Sequence, residues 1–286
     1  MKKIILAGFG YLGKFIEQQA GFNEKKVLYK LSRNPDKHRN GFGKHVEVDF
    51  DKEKFDITEI LDESTIIYMA PPNKDKDKDP RLENFLNNTK RLNIEKIIYI
   101  STSGVYGDCG GSYVTEDAEL KPLTSRAKKR VIAEKMIMKY STVNNTKYII
   151  LRVPGIYGLG RLPLSKIRER EPLVIKDECK ITNLINVEDL ARVVWRVIKD
   201  NIKNEIINVS DGAPITSTEY YLKIYDELEI EYPPFIKMEE ATKYYSEERM
   251  SFMSESRILD VTKMNRLFGD CIKYSNISEG IKCSLS

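Results

Sequence analysis

The 286-residue sequence predicts an α/β protein built on a doubly wound parallel sheet, with a smaller C-terminal α/β region. Three observations carry this expectation. Short runs rich in Ile and Val alternate with helical patterns through the first half. The first of these runs leads into Gly8-Phe9-Gly10-Tyr11-Leu12-Gly13, which opens a helical pattern. After Arg152 the alternation loosens.

Strands are expected at residues 3–7, 26–31, 45–48, 65–69, 96–101 and 147–153. Strands buried on both faces read as near-continuous apolar runs, as most of these do. Helices are expected between them at 11–20, 56–61, 81–92 and 122–140, with right-handed crossovers. Pro122 suits a first helical position. Ile132, Met136 and Tyr140, four apart and flanked by Ala133 and Ile137, mark a face packed on the sheet. A helix at 187–199, a strand at 205–209 and a helix at 217–228 follow. Tyr232-Pro233-Pro234 then breaks the chain, and a polar stretch runs to Ser256. This organisation places a dinucleotide-binding domain at 1–160, with a strand and helix returning around 180–210. Residues 161–286 then form mostly a substrate-binding region.

Composition excludes several classes. The net charge is +4, too balanced to argue for a nucleic-acid partner. No apolar run reaches the ~20 residues that cross a bilayer. The N-terminal apolar run is short, lacks a small-residue cleavage site and reads as a first strand. Cys109, Cys179, Cys271 and Cys283 show no metal or redox spacing, and only His38 and His45 accompany them, so no metal site is expected. These features fit reduced thiols in a cytoplasmic protein. The alternating charges at 74–79 read as a solvated loop at a strand end.

The glycine turn points to a Rossmann-type site. Gly8 allows the tight turn, Gly10 lets backbone approach a pyrophosphate, and Gly13 permits close packing. The N–H groups of the helix start at Tyr11 and Leu12 face the phosphates. Ala70-Pro71 ends the fourth strand, where ligands of such sheets bind. The second strand ends at Leu31-Ser32-Arg33-Asn34 with no acid for a ribose 2′-hydroxyl. Arg33 forking onto a 2′-phosphate, with Ser32 donating, favours NADP over NAD; the other reading leaves Arg33 in a surface turn continuing through Pro35. Asp49 is either an acceptor for the adenine amino group or an exposed loop residue.

Several segments together resemble the extended short-chain dehydrogenase/reductase superfamily, which includes nucleotide-sugar epimerases and dehydratases. The glycine turn looks like its cofactor turn. Tyr99-Ile100-Ser101-Thr102-Ser103-Gly104-Val105-Tyr106-Gly107 resembles its fifth strand and catalytic hydroxyl segment. Leu151-Arg152-Val153-Pro154-Gly155-Ile156-Tyr157-Gly158 resembles the segment lining the nicotinamide end, placing Pro154 and Ile156 there. Ile185 to Ala191, Ile207 to Gly212 and Arg257 to Leu267 resemble later segments, with Asn186 where a His is more usual. The resemblance implies that Thr102 hydrogen-bonds the reacting oxygen and that Tyr106 shapes the substrate pocket. It also implies a small-molecule substrate, and its frequent dimerisation through two helices offers helices 81–92 and 122–140 either for a homodimer or for packing on their own sheet alone.

One departure changes the chemistry. The family's Tyr-x-x-x-Lys pair falls in register on Arg126 and Arg130. Positions four apart share a helix face, so the geometry survives. A guanidinium does not titrate near neutral pH and cannot act as the proton-transferring phenol. Arg130 is expected to reach the cofactor ribose and Arg126 an anionic substrate group. Tyr106, Tyr113 and Cys109 are the local substitutes for the missing acid, and Arg161, Lys166 and Arg168 are candidate phosphate partners. The chain thereby resembles an atypical branch of the superfamily that keeps the glycine turn and the Val-Tyr-Gly segment but lacks the Tyr, which leaves two readings: an NAD(P)-dependent oxidoreductase or epimerase-like enzyme, or a non-catalytic NADP(H)-binding sensor.

Overall fold

In the computed structural model, which describes residues 2–34, 41–73 and 78–286, the apolar runs form one seven-stranded parallel sheet. Its strands are β1 (Lys3–Ala7), β2 (Leu28–Ser32), β3 (Lys44–Glu47), β4 (Ser64–Tyr68), β5 (Lys96–Thr102), β6 (Lys147–Val153) and β7 (Glu205–Asn208). The order is β7-β6-β5-β4-β1-β2-β3. Pro35, His38 and residues 74–77 of the charged run lie outside the described residues.

Alternation along each strand divides the core in two. Ile4, Leu6, Ile98 and Ile149 face helix α1 (Tyr11–Gln18) and a later helix, α4 (Val187–Lys199). The Trp195 indole N–H donates to the Ile16 carbonyl at 2.9 Å, tying these two helices together. Ile5, Ile66, Tyr68 and Tyr99 face α2 (Pro80–Thr89) and α3 (Ser125–Asn144). Helices therefore cover both faces, as a doubly wound sheet requires.

Helix α3 differs from the expectation at two points. It starts at Ser125, not Pro122, because Thr124 caps it, its hydroxyl accepting from the Ala127 N–H at 3.1 Å. Its inward face is also partly polar: Arg130 and Glu134 are buried with Ala133, Ile137 and Tyr140, whereas Ile132 is 37 % exposed. Lys128, Lys135 and Lys139 point outward, so a homodimer built on α3 pairs charged surface.

Past β6 the chain forms small paired segments. Gly155–Tyr157 pairs with Leu184–Asn186, and Leu173–Val174 with Phe235–Ile236. They rest with α5 (Ser217–Glu227) and a C-terminal helix (Ile277–Leu285) on Tyr157, Leu173, Ile224 and Ile281. The polar stretch before Ser256 contains helix α6 (Glu247–Met253).

Asp211, 7 % exposed, follows β7, and one of its carboxylate oxygens has no partner. Burial pushes its pKa up to about 7, with nearby Asp189 adding to the rise. Between about pH 4 and 7 the folded chain thus holds a proton that the unfolded chain has lost, and stability falls as pH rises. Asp211→Asn should remove this decline, leaving the variant more stable than wild type above pH 7 and nearly equal at pH 4. Thermal unfolding against pH checks this; identical slopes in both proteins would contradict it.

Candidate active site

The strand order reverses between β1 and β4, and a cleft opens there at the carboxyl ends of the strands. It consists of two adjoining cavities of about 280 Å³ each, which share Gly8, Gly10 and Pro71. The turn after β1 is fixed by the Gly8 and Phe9 N–H groups, which both donate to the Leu31 carbonyl. Helix α1 begins at Gly10 without a side-chain cap, so its first N–H groups have no partner on the helix. Gly13 serves a purpose different in detail from the expected helix–strand contact. A Cβ there would lie 2.8 Å from the Phe9 ring, so the missing side chain seats that ring.

One cavity is lined by Ser32, Arg33, Asp49, Ala70 and Arg81 beside the glycine turn. The Ser32 hydroxyl lies 2.8 Å from His45 Nε2. Arg33 is largely exposed, its Nη1 3.4 Å from Asp51 Oδ2. One Asp49 carboxylate oxygen accepts from the Asp51 N–H, closing its own turn. Sequence reasoning missed Arg81, which grips Asp51 through Nε at 2.7 Å and Nη2 at 2.8 Å and donates from Nη1 to the Pro71 carbonyl. These bonds hold the Asp51 carboxyl below its usual range. The available signal was a charged residue one position past Pro80 at a helix start.

The other cavity is lined by Tyr11, Leu12, Gly13, Thr102, Pro154 and Ile156, with Arg126, Arg130 and Arg161. Thr102 ends β5, and its hydroxyl accepts from the Gly104 N–H at 3.2 Å. Arg126, Arg130 and Glu134 follow at four-residue spacing on one face of α3. Arg130 is 6 % exposed and its Nη1 donates to Tyr99 Oη at 2.8 Å. Arg126 is open to the cleft, yet desolvation and then the Arg130 charge pull its pKa below the usual arginine value. Arg161 lies 4.1 Å over the Tyr11 ring. Burial raises the Tyr11 phenol to about 12, with Arg161 opposing the rise.

Behind this cavity Glu134 and Arg152 form a buried pair, Nη2 to Oε2 at 2.9 Å. The other Glu134 oxygen accepts from Arg152 Nε and from the Ser101 hydroxyl.

Other expected residues lie elsewhere. Tyr106 does not line the cleft: it is 1 % exposed, donating to Asn208 Oδ1 at 2.7 Å and accepting from Arg152 Nη1 at 2.9 Å. Burial raises its pKa to about 12, and its bonds to Asn208 and Arg152 brace the sheet end. Tyr113 is 72 % exposed in a short pairing with Ile258–Leu259. Cys109 is tied to the Ser256 carbonyl through its N–H, and burial pushes its thiol pKa up, away from reactivity. Lys166 lines a separate cavity with Tyr220, Tyr221, Arg249 and Phe252, and Arg168 is exposed at the surface.

Among the described residues, no helix is long and apolar enough to cross a membrane. Nor does any group of three or more His, Cys, Asp and Glu stand ready to hold a metal.

Comparison with known proteins agrees with this architecture. The chain is 28 % identical over 141 residues to an uncharacterized protein of Methanocaldococcus jannaschii, covering 46 % of this chain and 43 % of that one. It is 23 % identical over 140 residues to the GDP-6-deoxy-D-talose 4-dehydrogenase of Aggregatibacter actinomycetemcomitans, covering 46 % and 47 %. The chain thus spans less than half the length of these relatives. A conserved protein of unknown function from Silicibacter pomeroyi DSS superposes with a TM-score of 0.85 at 23 % identity, covering 100 % of this chain and 98 % of that one. The UDP-glucuronic acid 4-epimerase of Bacillus cereus, in complex with NAD, superposes at 0.78 with 19 % identity over 99 % and 97 %. The sequence profile of the NAD dependent epimerase/dehydratase family matches residues 4–210, and the chain belongs to that family.

Proposed function

We propose that the protein is an NADP-dependent oxidoreductase or epimerase-like enzyme. Its substrate is a hydroxyl or carbonyl compound, in the first instance a nucleotide-linked or phosphorylated sugar. One observation carries this reading: a single cleft joins an uncapped glycine turn, a basic end at Arg33 and a hydroxyl end at Thr102. The family match and the nucleotide-sugar enzymes among its sequence and structural relatives support it.

In this reading Gly8, Gly10, Tyr11, Leu12 and Gly13 hold the pyrophosphate. Ser32 and Arg33 take the 2′-phosphate, and Asp49, Ala70 and Pro71 flank the adenine side. Pro154 and Ile156 back the nicotinamide, which supplies the hydride chemistry. Thr102 orients the substrate oxygen and Arg130 reaches the ribose. The transferred proton comes from water or the substrate. The same reading places the protein in the cytoplasm and allows a homodimer through α2 and α3.

A second reading, a non-catalytic NADP(H)-binding sensor, draws on the acid/base register. Among the described residues Tyr11 is the only tyrosine lining the Thr102 half of the cleft, and its hydroxyl donates to the Leu159 carbonyl.

The cofactor preference is testable at one residue. Charge-assisted bonds to a phosphate contribute roughly 1.5–3 kcal/mol. Arg33→Ala should therefore weaken NADPH binding about tenfold or more while leaving NADH binding unchanged, measured by calorimetric titration. Equal effects on both nucleotides would remove Arg33 from the 2′-phosphate.

A further inference from the structure

The Thr102 half of the cleft carries an unbalanced charge. Arg126, Arg130 and Arg161 line it, and among the described residues none lining it is acidic. Among the described residues none of the three forms a salt bridge within 4.0 Å. None of the described acids around them pairs with them directly. Glu134 is held by Arg152 and Glu188 by Tyr274 and Arg192. Asp79 caps α2 through Oδ1 while its other oxygen, buried and without a partner, partly offsets Arg130, and Glu248, which partly offsets Arg126, lies on α6. The buried Arg130 keeps one N–H, at Nε, without a partner.

The cluster also sits at the reacting end. A Cβ placed on Gly104 would lie 3.6 Å from both Thr102 Oγ1 and Ala127 Cβ, so the first turn of α3 stands beside Thr102. Across the cleft, Arg161 is spread on the Tyr11 ring. Three guanidiniums converging without a carboxylate repel one another, and a bound anion relieves that repulsion. The planar guanidinium fork suits the oxygens of a carboxylate or phosphate.

We propose that Arg126 and Arg161, braced by Arg130, receive an oxyanion of the substrate carried close to the carbon that reacts at Thr102. The oxyanion is a sugar carboxylate or a sugar phosphate. This rests on the dinucleotide reading above for which carbon reacts. The Tyr position of the family is thereby converted from a proton donor into an anion receptor.

The test is calorimetric titration of the NADPH-saturated protein, in low-chloride buffer, with glucuronate, glucose 6-phosphate and neutral glucose. At least one charged sugar should bind at least about tenfold more tightly than glucose, a difference of about 1.4 kcal/mol. Whichever binds more tightly separates carboxylate from phosphate. Arg126→Gln should cost the charged sugar about tenfold or more and leave the NADPH affinity within about threefold. Arg126→Lys should recover part of the loss, since it restores charge without the fork. Equal binding of charged and neutral sugars, or no binding of either anion, overturns the proposal. So does a loss of NADPH affinity in Arg126→Gln equal to the loss of anion affinity, which assigns the arginines to the cofactor. If NADPH itself fails to bind, the cofactor reading fails separately, and the same titrations on the nucleotide-free protein still decide whether Arg126 receives an anion.

Discussion

Gly8→Ala is expected to abolish nucleotide binding. Gly8 has φ +81°, in the left-handed region, where a residue with a Cβ costs roughly 1–2 kcal/mol. Space is the larger obstacle. A Cβ at Gly8 would lie 2.5 Å from the Ala70 nitrogen and 2.6 Å from its Cα. Those are backbone atoms, and no rotamer change relieves the clash. Either the turn after β1 or the exit of β4 must shift, and both line the two cavities through Gly8 and Pro71. A shift there opens the hydrogen bonds from Gly8 and Phe9 to Leu31 and rotates the N–H groups of α1 away from the cleft. NADPH affinity should fall by more than about 100-fold, or roughly 2.7 kcal/mol. The unfolding midpoint should fall as well. A Gly8→Ala variant that binds NADPH within a few-fold of wild type would show that the turn does not touch the nucleotide.

Glu134→Ala is expected to be the most destabilising single substitution near the site. Glu134 and Arg152 have side chains 1 % and 3 % exposed, and Arg152 also donates to Tyr106 Oη and the Glu116 carbonyl. Removing the carboxylate strands a buried guanidinium, a loss of about 3–5 kcal/mol. That is a large share of a typical folding free energy of about 5–15 kcal/mol. Replacing both partners with apolar residues avoids the stranded charge. Glu134→Leu with Arg152→Met should therefore unfold at a higher temperature than Glu134→Ala. The effect reaches the cleft. Ser101 and Arg152 are register partners on β5 and β6, and Thr102 follows directly. Loss of the pair should loosen the strand end that carries Thr102. A cost below about 1 kcal/mol would indicate that water replaces the pair.

How far the sequence exposes this structure depends on what buries each segment. β1, β4, β5 and β6 are legible because both faces are covered, which makes the centre of each a near-continuous apolar run. The glycine turn is legible because φ and close approach restrict Gly8 to glycine. Helix α3 is harder to read. Its inward face carries the buried Arg130 and Glu134, so the apolar spacing through Ile132 points partly to solvent. Pro122 imitates a helix start three residues before the one Thr124 caps. The two-residue pairings around 113–114 and 258–259 are too short for any period to show. Arg81 was missed because its importance lies in Asp51, 30 residues away in sequence, and that contact exists only after β3 and α2 converge. The surroundings of Tyr106 are not legible because its spacing after Thr102 does not reveal that the chain tightens into a short 3₁₀ turn at Ser103–Tyr106, whose last hydroxyl turns back toward Asn208 and Arg152.

The central claim is that one nucleotide occupies both cavities, with its pyrophosphate on the glycine turn. A crystal structure of the protein grown with NADPH tests it most directly. The expected density runs from a 2′-phosphate beside Ser32 and Arg33, across the N–H groups at Gly10 to Leu12, to a nicotinamide against Pro154 and Ile156 facing Thr102. NADPH bound elsewhere on the molecule, or a cleft left without nucleotide when NADPH is in large excess, would contradict it.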